Sequence, residues 1–513
     1  MEQERQAAFD RVLAQGWDGF LKGVEKEGLR VDRQGNIAQT PHPRALGSAL
    51  THPAITTDYS EALLELITPV CSSTSEVLQS LTDIHSFVQM KLGDELFWPT
   101  SMPCRINGEE SIPLARYGSS NVGQLKYVYR QGLAVRYGRV MQSIAGVHYN
   151  FSLPESFWQR WQGELGDSQP LQDFKTAQYF WLIRNFRRRS WLLMLLFGSS
   201  PALDASFLAG RQHSLREAGR DSFHSPNATS LRMSDMGYNN QAQSSLDICF
   251  NHLETYTRTL DRAIHTPWPP YEQIGLFRDD ERIQINCNVL QIENEYYSAM
   301  RPKRTTYPGE KPLHALQKRG VEYVEVRCLD LDPFSPVGLN AQQLDFLDLF
   351  LLDCLINDAP PISDEECDKL DNAFRDVVAS GRDPSLRLCD RDDRTVTQMA
   401  LETLDRLSAL ASRLPHDDDY QTALAALRQR LEDPRQLPSA RVLKAMKEQG
   451  EGFVGWGLAQ ARAHQDSLRQ RGLSPVLQRT MEQQAEASLQ QQVALEASES
   501  EPFEAFLARY LDD

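Results

Sequence analysis

The chain has 513 residues, 41% of them apolar and 24% charged, which is ordinary for a soluble protein and enough for a large core and two or more structural units. Asp and Glu outnumber Lys and Arg by 70 to 54, a formal charge of −16 that argues against nucleic acid as a partner and leaves room only for a local basic pocket around a small anion. Eight cysteines without a C-x-x-C pair argue against a zinc site of the usual spacing and against a disulfide framework.

The N-terminus, MEQERQAAFD, lacks the basic and apolar regions of a signal peptide, and the cytoplasm is the expected compartment. Residues 1–22 read as a helix with Phe9, Val12, Leu13, Trp17 and Phe20 as its apolar stripe. GVEKEGLRV, 23–31, reads as a strand. Glu25 and Glu27 then share a face with Leu29 and Val31, and Lys26 looks the other way. Two adjacent carboxylates repel each other, and each loses hydration when buried. The pair marks either an exposed strand end or a cation held between them. In EALLELITP, 61–69, Glu65 interrupts Leu63, Leu64, Leu66 and Ile67, as an edge glutamate or as a ligand. Burying it alone costs roughly several kcal/mol. Asp58, just upstream, reads first as a helix or turn cap. A helix is expected over 74–93.

The next strand is expected over 138–153. It places Met141, Ala145, Val147, Tyr149, Phe151 and Leu153 on one face, and Gln142, Ile144, Gly146, His148 and Asn150 on the other. One apolar face and one face of amides and imidazole suit a polar ligand. A helix follows over 171–196, and its apolar WLLMLLFG is too short to span a bilayer. The polar stretch 209–245 reads as a long ordered loop over a site. Strands are expected at 282–293 and 320–331. The first segment and its continuation contribute Asn286, Asn288, Glu293 and Glu295, then the basic RPKR with Arg301. The second puts Tyr323, Glu325 and Arg327 on one face and Val324, Val326 and Cys328 on the other. From about 338 the pattern is mostly helical, with helices over 393–432, 440–472 and 475–498. LDFLDLFLLDCLI, 344–356, is broken by aspartates, so no membrane partner is expected. Strands followed by helices predict an α+β fold.

Phosphate-loop, Rossmann, zincin and serine-hydrolase motifs are absent. Instead, at least four strand-like runs carry oxygen or imidazole groups on one face. Hard divalent cations take oxygen ligands, and Mg²⁺ is commonly held by a few carboxylates together with substrate phosphates. Arg327 and Arg301 could counter phosphate charge. The residues alone therefore read as Mg²⁺-dependent phosphoryl chemistry in a strand-lined cavity.

The segments GVEKEGLRV, GSALTHPAITTDYSEALLELITP, WPTSMP, GVHYNFSLP, ATSLRMSDMGY, QIENEYYSAMRPKR and VEYVEVRCLDLDPFSP resemble the glutamate–cysteine ligases of the gamma-proteobacterial class, in order, over about 20–350. The resemblance implies a curved, mainly antiparallel sheet forming a funnel, similar to glutamine synthetase, with helices outside. It implies a catalytic core over 1–350 and a helical part over 351–513 packed on it. The implied reaction joins the γ-carboxylate of glutamate to the amino group of cysteine through γ-glutamyl phosphate, with ATP as co-substrate and Mg²⁺ or Mn²⁺ as cofactor, in a monomer.

Residue by residue, Glu25, Glu27, Asp58, Glu65, His148 and Glu325 resemble the family's metal-binding set. Arg327 resembles the residue facing ATP phosphate, beside Arg301, and it shares the catalytic role with Glu325. Arg232 resembles a group that grips a substrate carboxylate. Gln142, Asn150, Arg130, Tyr129, Tyr238 and Tyr297 are candidates for the amino-acid pockets. Tyr59 stands where some relatives are expected to carry phenylalanine, at the cysteine pocket. Cys287 and Cys328 are read as packing residues. The rival readings are a ligase of the same fold with a different amine acceptor, and a non-catalytic nucleotide or metal sensor.

Overall fold

The computed structural model describes residues 2–237, 246, 248–307, 309–388, 393–415 and 417–512. Its centre is a seven-stranded sheet. The strands are β1 (Leu21–Val31), β2 (Ile55–Thr57), β3 (Leu63–Ile67), β4 (Leu96–Phe97), β5 (Val147–Ser152), β6 (Met300–Lys303) and β7 (Tyr323–Leu329). Their order is β6-β7-β5-β1-β3-β2, with β4 paired to the end of β1, and every pairing is antiparallel. The α+β expectation holds.

Alternation along the strands sends one face into the core. Val24, Tyr149, Phe151, Val324 and Val326 are fully buried on the reverse face. The helix Ala341–Ile356 packs behind them, opened by a capping box in which Asn340 and Gln343 exchange hydrogen bonds. Lys22 of β1 forms an ion pair with Asp348 of that helix, both essentially buried. Tyr149 of β5 donates its hydroxyl to the same carboxylate. One aspartate thus ties two neighbouring strands to the helix behind them.

The hydrophobic core is continuous from Ala8 to Ala461. Helices Val396–Ala411 and Asp417–Glu432 pack beside Ala341–Ile356, and Gly452–Arg471 packs on Thr74–Lys91. Among the described residues, no helix is long and apolar enough to cross a membrane.

Several sequence boundaries move. The first helix is Glu2–Gln15, because Gly16 and Gly19 take left-handed φ values of 127° and 79°. Trp17 and Phe20 then pack edge to face, 5.0 Å apart. The 171–196 helix divides at Ser190 into Leu171–Arg189 and Trp191–Phe197. Within 209–245, Ser222–His224 pairs on one side with Ala202–Asp204 and on the other with Arg216–Glu217 in one small sheet.

Two strand expectations are corrected. The 138–153 run is a strand only over Val147–Ser152, and Met141–Ser143 is a tight 3-10 turn closed by hydrogen bonds such as Ser143 N–H to Val140 O. Gln142 therefore lies on a turn. The 282–293 run is a strand only at its start, in the Glu281–Arg282 pairing. Beyond that, side-chain amides replace a ladder: Gln291 accepts from Ile285 N–H, and Asn286 donates to Gln291 O.

Substituting Asp348 by Ala would strand the buried Lys22 ammonium and remove the partner of Tyr149. Breaking such a pair should cost about 3–5 kcal/mol. A urea unfolding midpoint no lower than that of the unsubstituted protein would contradict this account of the sheet's reverse face.

Candidate active site

The opposite face of the sheet floors a cavity of about 1170 Å³. Residues directly opposite on paired strands point to one face. The register sets His148 of β5 opposite Glu25, Glu27 opposite Glu65 of β3, and Asn150 opposite Glu325 of β7. The adjacent carboxylates of β1 thus sit in mid-sheet with further carboxylates on both sides.

His148 lies among them. Its Nδ1 is 3.4 Å from Glu25 and 3.6 Å from Glu325, and its Nε2 is 3.7 Å from Glu27. Asn150 donates to Glu25 at 2.9 Å. Glu27 accepts the Gly146 backbone N–H at 2.7 Å. One ligand atom each from Glu25, Glu65 and His148 lie within 4.8 Å of one another, close enough to share one ion. Asp58 lies in the β2–β3 connection. Its backbone N–H bonds to Leu63 O, and its side chain lines the cavity.

The cations define the electrostatics. Arg327 donates to Glu325 at 3.0 Å, and Lys303 lies 3.5 Å from the same carboxylate. Burial pushes the Glu325 carboxyl up, but Lys303, Arg327, His148 and Arg301 outweigh it and hold it well below the usual range. The guanidinium of Arg327 is held above its ordinary value, Glu325 outweighing the effect of burial. Burial also acts against the Glu25 carboxylate, yet His148 and Lys303 keep its pKa lowered. At the other side of the floor the balance reverses. Burial, then Asp58, raises Glu27, and burial with the neighbouring Glu25, Asp58 and Glu27 raises Glu65 well above the carboxylate range. Half of the floor is compensated by protein cations. The other half is short of positive charge.

Of the sequence candidates, Glu25, Glu27, Asp58, Glu65, His148, Glu325, Arg327, Arg301, Arg232, Arg130, Tyr129, Gln142 and Tyr297 all line this one cavity. Asn150 acts from behind Glu25. Tyr238 lies outside the described residues. Arg301 gives its guanidinium to the carbonyls of Asn294 and Tyr296. Arg232 is 1% exposed, donating to Arg327 O at 2.9 Å and lying 3.7 Å from Asp330. A Cβ on Gly146 would come within 2.2 Å of its Nη2, so only glycine leaves that guanidinium its place. Tyr59 also lines the wall.

The inward reading of the 284–295 polar residues is corrected. Asn288 donates to Ile264 O, and Glu293 accepts from Leu313 N–H. Glu295 reaches the cavity wall but is already paired with Arg136 at 3.1 Å. Cys328 is buried and Cys287 half-buried, neither lining the cavity, and the cysteines among the described residues are free.

Sequence reasoning named Tyr129 and Arg130 but missed the rest of the walls. Helix Asn121–Tyr137 presents Val122, Leu125, Lys126, Tyr129, Arg130 and Leu133 to the cavity at alternating spacings of three and one, a helical stripe that was legible in principle. Asp371 and Phe374 come from helix Asp364–Ser380, and Phe506 and Tyr510 from Phe503–Asp512. Nothing local in those helices signals a cavity.

Comparison with known proteins agrees with this architecture. The sequence model of the glutamate-cysteine ligase family matches residues 8–377. A glutamate–cysteine ligase of Hahella chejuensis is 53% identical over 501 residues, covering 96% of this chain and 95% of its own. The crystal structure of a glutamate–cysteine ligase from Francisella tularensis in complex with AMP superposes with a TM-score of 0.90 at 35% identity, over 96% of this chain and 98% of that one. A bifunctional glutathione synthetase from Pasteurella multocida shares the fold, with a TM-score of 0.73 at 24% identity over 91% of this chain and 54% of that one. By sequence over most of its length, and by fold, this chain is a member of the glutamate–cysteine ligase family.

Proposed function

We propose that the protein joins the γ-carboxylate of glutamate to the amino group of cysteine at the expense of ATP, the first step of glutathione biosynthesis. The observation that carries this reading is the cavity floor, where Glu25, Glu27, Glu65, His148 and Glu325 converge beside Arg327 in a chain of this family.

In the first step a γ-carboxylate oxygen of glutamate attacks the γ-phosphorus of ATP. The bond to the bridging oxygen breaks, and ADP leaves with the electron pair. In the second step the amine of cysteine attacks the acyl carbon of γ-glutamyl phosphate, phosphate leaves, and the nitrogen loses a proton. Arg327, held by Glu325, is placed to stabilise charge on the departing oxygen. Arg301 supports the same edge of the site. Arg232 is the candidate for a substrate carboxylate, and Tyr129, Arg130, Gln142, Tyr297, Asn150 and Tyr238 for the amino-acid pockets.

The donor set fits a hard cation: three ligand atoms cluster within 4.8 Å, and at Glu65 burial and the neighbouring carboxylates outweigh the pull of Lys126. Glu25, Glu27, Asp58, Glu65, His148 and Glu325 would hold Mg²⁺ or Mn²⁺. Such an ion, when bound, neutralises phosphate charge and acts as a Lewis acid. We assign the chemistry to residues 1–350 and a packing role to 351–513, whose helices also complete the cavity wall. The protein acts as a cytoplasmic monomer on small molecules.

Incubation with ATP, Mg²⁺, glutamate and cysteine should yield γ-glutamylcysteine, ADP and phosphate in equal amounts by mass analysis, and chelation should stop ADP release. ADP formation with no new peptide would overturn the reading. Glu27→Gln should abolish turnover or raise the Mg²⁺ requirement, and full activity at ordinary Mg²⁺ would remove Glu27 from the ligand set. Arg327→Lys keeps the charge but loses the planar fork. It should lower kcat far more than it weakens cysteine binding, and hydroxylamine, which bypasses cysteine recognition, should not rescue the rate. Selective rescue would move Arg327 to the acceptor pocket.

A further inference from the structure

Apart from Arg232 in the middle of the site and Arg187 and Arg375 on the helical walls, the cations of the cavity stand at two ends of the sheet. Arg301, Lys303 and Arg327 surround Glu325 at the β6–β7 end. Lys126 and Arg130 stand at the β3 end, on helix Asn121–Tyr137, where Asp58 and Glu65 lie. Arg130 is committed to the protein. Its Nε donates to Asp58 O at 2.5 Å, its Nη1 donates to Lys126 O at 2.9 Å, and its guanidinium lies 4.6 Å from the Tyr117 ring centroid.

Lys126 is different. It lines the cavity half-buried, with Nζ 5.1 Å from the centroid of the same ring. Among the described residues, no carboxylate lies within ion-pair distance of it. Burial and Arg130 lower its pKa to about 8, against the pull of Glu65 and Asp58, so the ammonium stays largely charged at neutral pH. A desolvated cation without a fixed anionic partner is costly unless a ligand supplies one. The nucleotide phosphates belong at the opposite end, with the arginines, and glutamate must lie between phosphate and acceptor. The remaining substrate carries one full negative charge at neutral pH, its α-carboxylate.

We propose that Lys126 anchors the α-carboxylate of the acceptor, so that the site takes an amino acid rather than a simple amine. This rests on the ligase reading of the cavity. The test compares kcat/KM for cysteine with that for cysteamine, which is cysteine without its carboxylate. The unsubstituted protein should prefer cysteine by about ten-fold or more, the scale of one charge-assisted hydrogen bond. Lys126→Met should erase most of that preference, and Lys126→Arg should keep it. Lys126→Gln serves the same comparison if the methionine variant does not fold. A preference that survives in the neutral variants would overturn the proposal. So would an equal loss for both acceptors with a raised Mg²⁺ requirement, which would make Lys126 a countercharge to Glu65 and Asp58. Absence of glutamate-dependent turnover with any acceptor in the unsubstituted protein would instead overturn the ligase reading, and the anchor with it.

Discussion

Everything in this structure depends on holding carboxylates that repel one another on one buried surface. Left to themselves, such groups would separate or take up protons. Here the hydrogen-bonded ladder prevents separation: β3, β1, β5 and β7 fix Glu65, Glu27, Glu25, His148 and Glu325 at pleat spacing. The sheet can bear that repulsion because its other face is tightly bound. The Lys22–Asp348 pair and the Tyr149 hydroxyl fasten it to Ala341–Ile356, where every residue from Gln343 to Ile356 is buried.

The charge distribution across the floor also divides the labour. Arg327, Lys303 and Arg301 compensate Glu325 and Glu25, so that side is already prepared for more negative charge from a polyphosphate. At Glu27 burial and Asp58 outweigh His148, Arg232 and Arg327, and at Glu65 burial and three carboxylates outweigh Lys126, so both carry raised pKa values. A divalent ion would find its strongest unmet demand there. Arg232, clamped between Gly146, Arg327 and Asp330, joins the strand ends in the middle of the site.

How much of this was legible in the sequence follows from the kind of signal each part leaves. β1, β3, β5 and β7 could be read because alternation exposed their polar residues, carboxylates on β1, β3 and β7 and His148 and Asn150 on β5, as exceptions on an otherwise apolar pattern. The 282–293 segment misled because Asn286, Gln284 and Gln291 satisfy backbone groups with their own amides, so an alternating polar pattern need not mean a ladder. Gln142 was placed on a strand that begins five residues later, yet the turn still delivers it to the cavity. Lys126, Asp371 and Tyr510 escaped notice because a polar residue on an amphipathic helix looks the same whether it faces water or a cavity. The reaction itself came from resemblance; the residues alone led only to a cation and a phosphate.

The strand order has a consequence for how such a protein reaches its working state. Neighbours in the sheet are remote in the chain: β1 pairs with β5, and β5 with β7. Small zinc domains have their ligands close in sequence, so the metal can organise the fold. Glu25 and Glu325 are brought together only after most of the chain has found its place, so a cation cannot template this fold. Loop-closure entropy must be met first by the apolar reverse face. The unfolded chain offers no assembled site, and a divalent ion held as proposed would therefore reward folding only at its end, by drawing the equilibrium toward the native state more strongly as its free concentration rises.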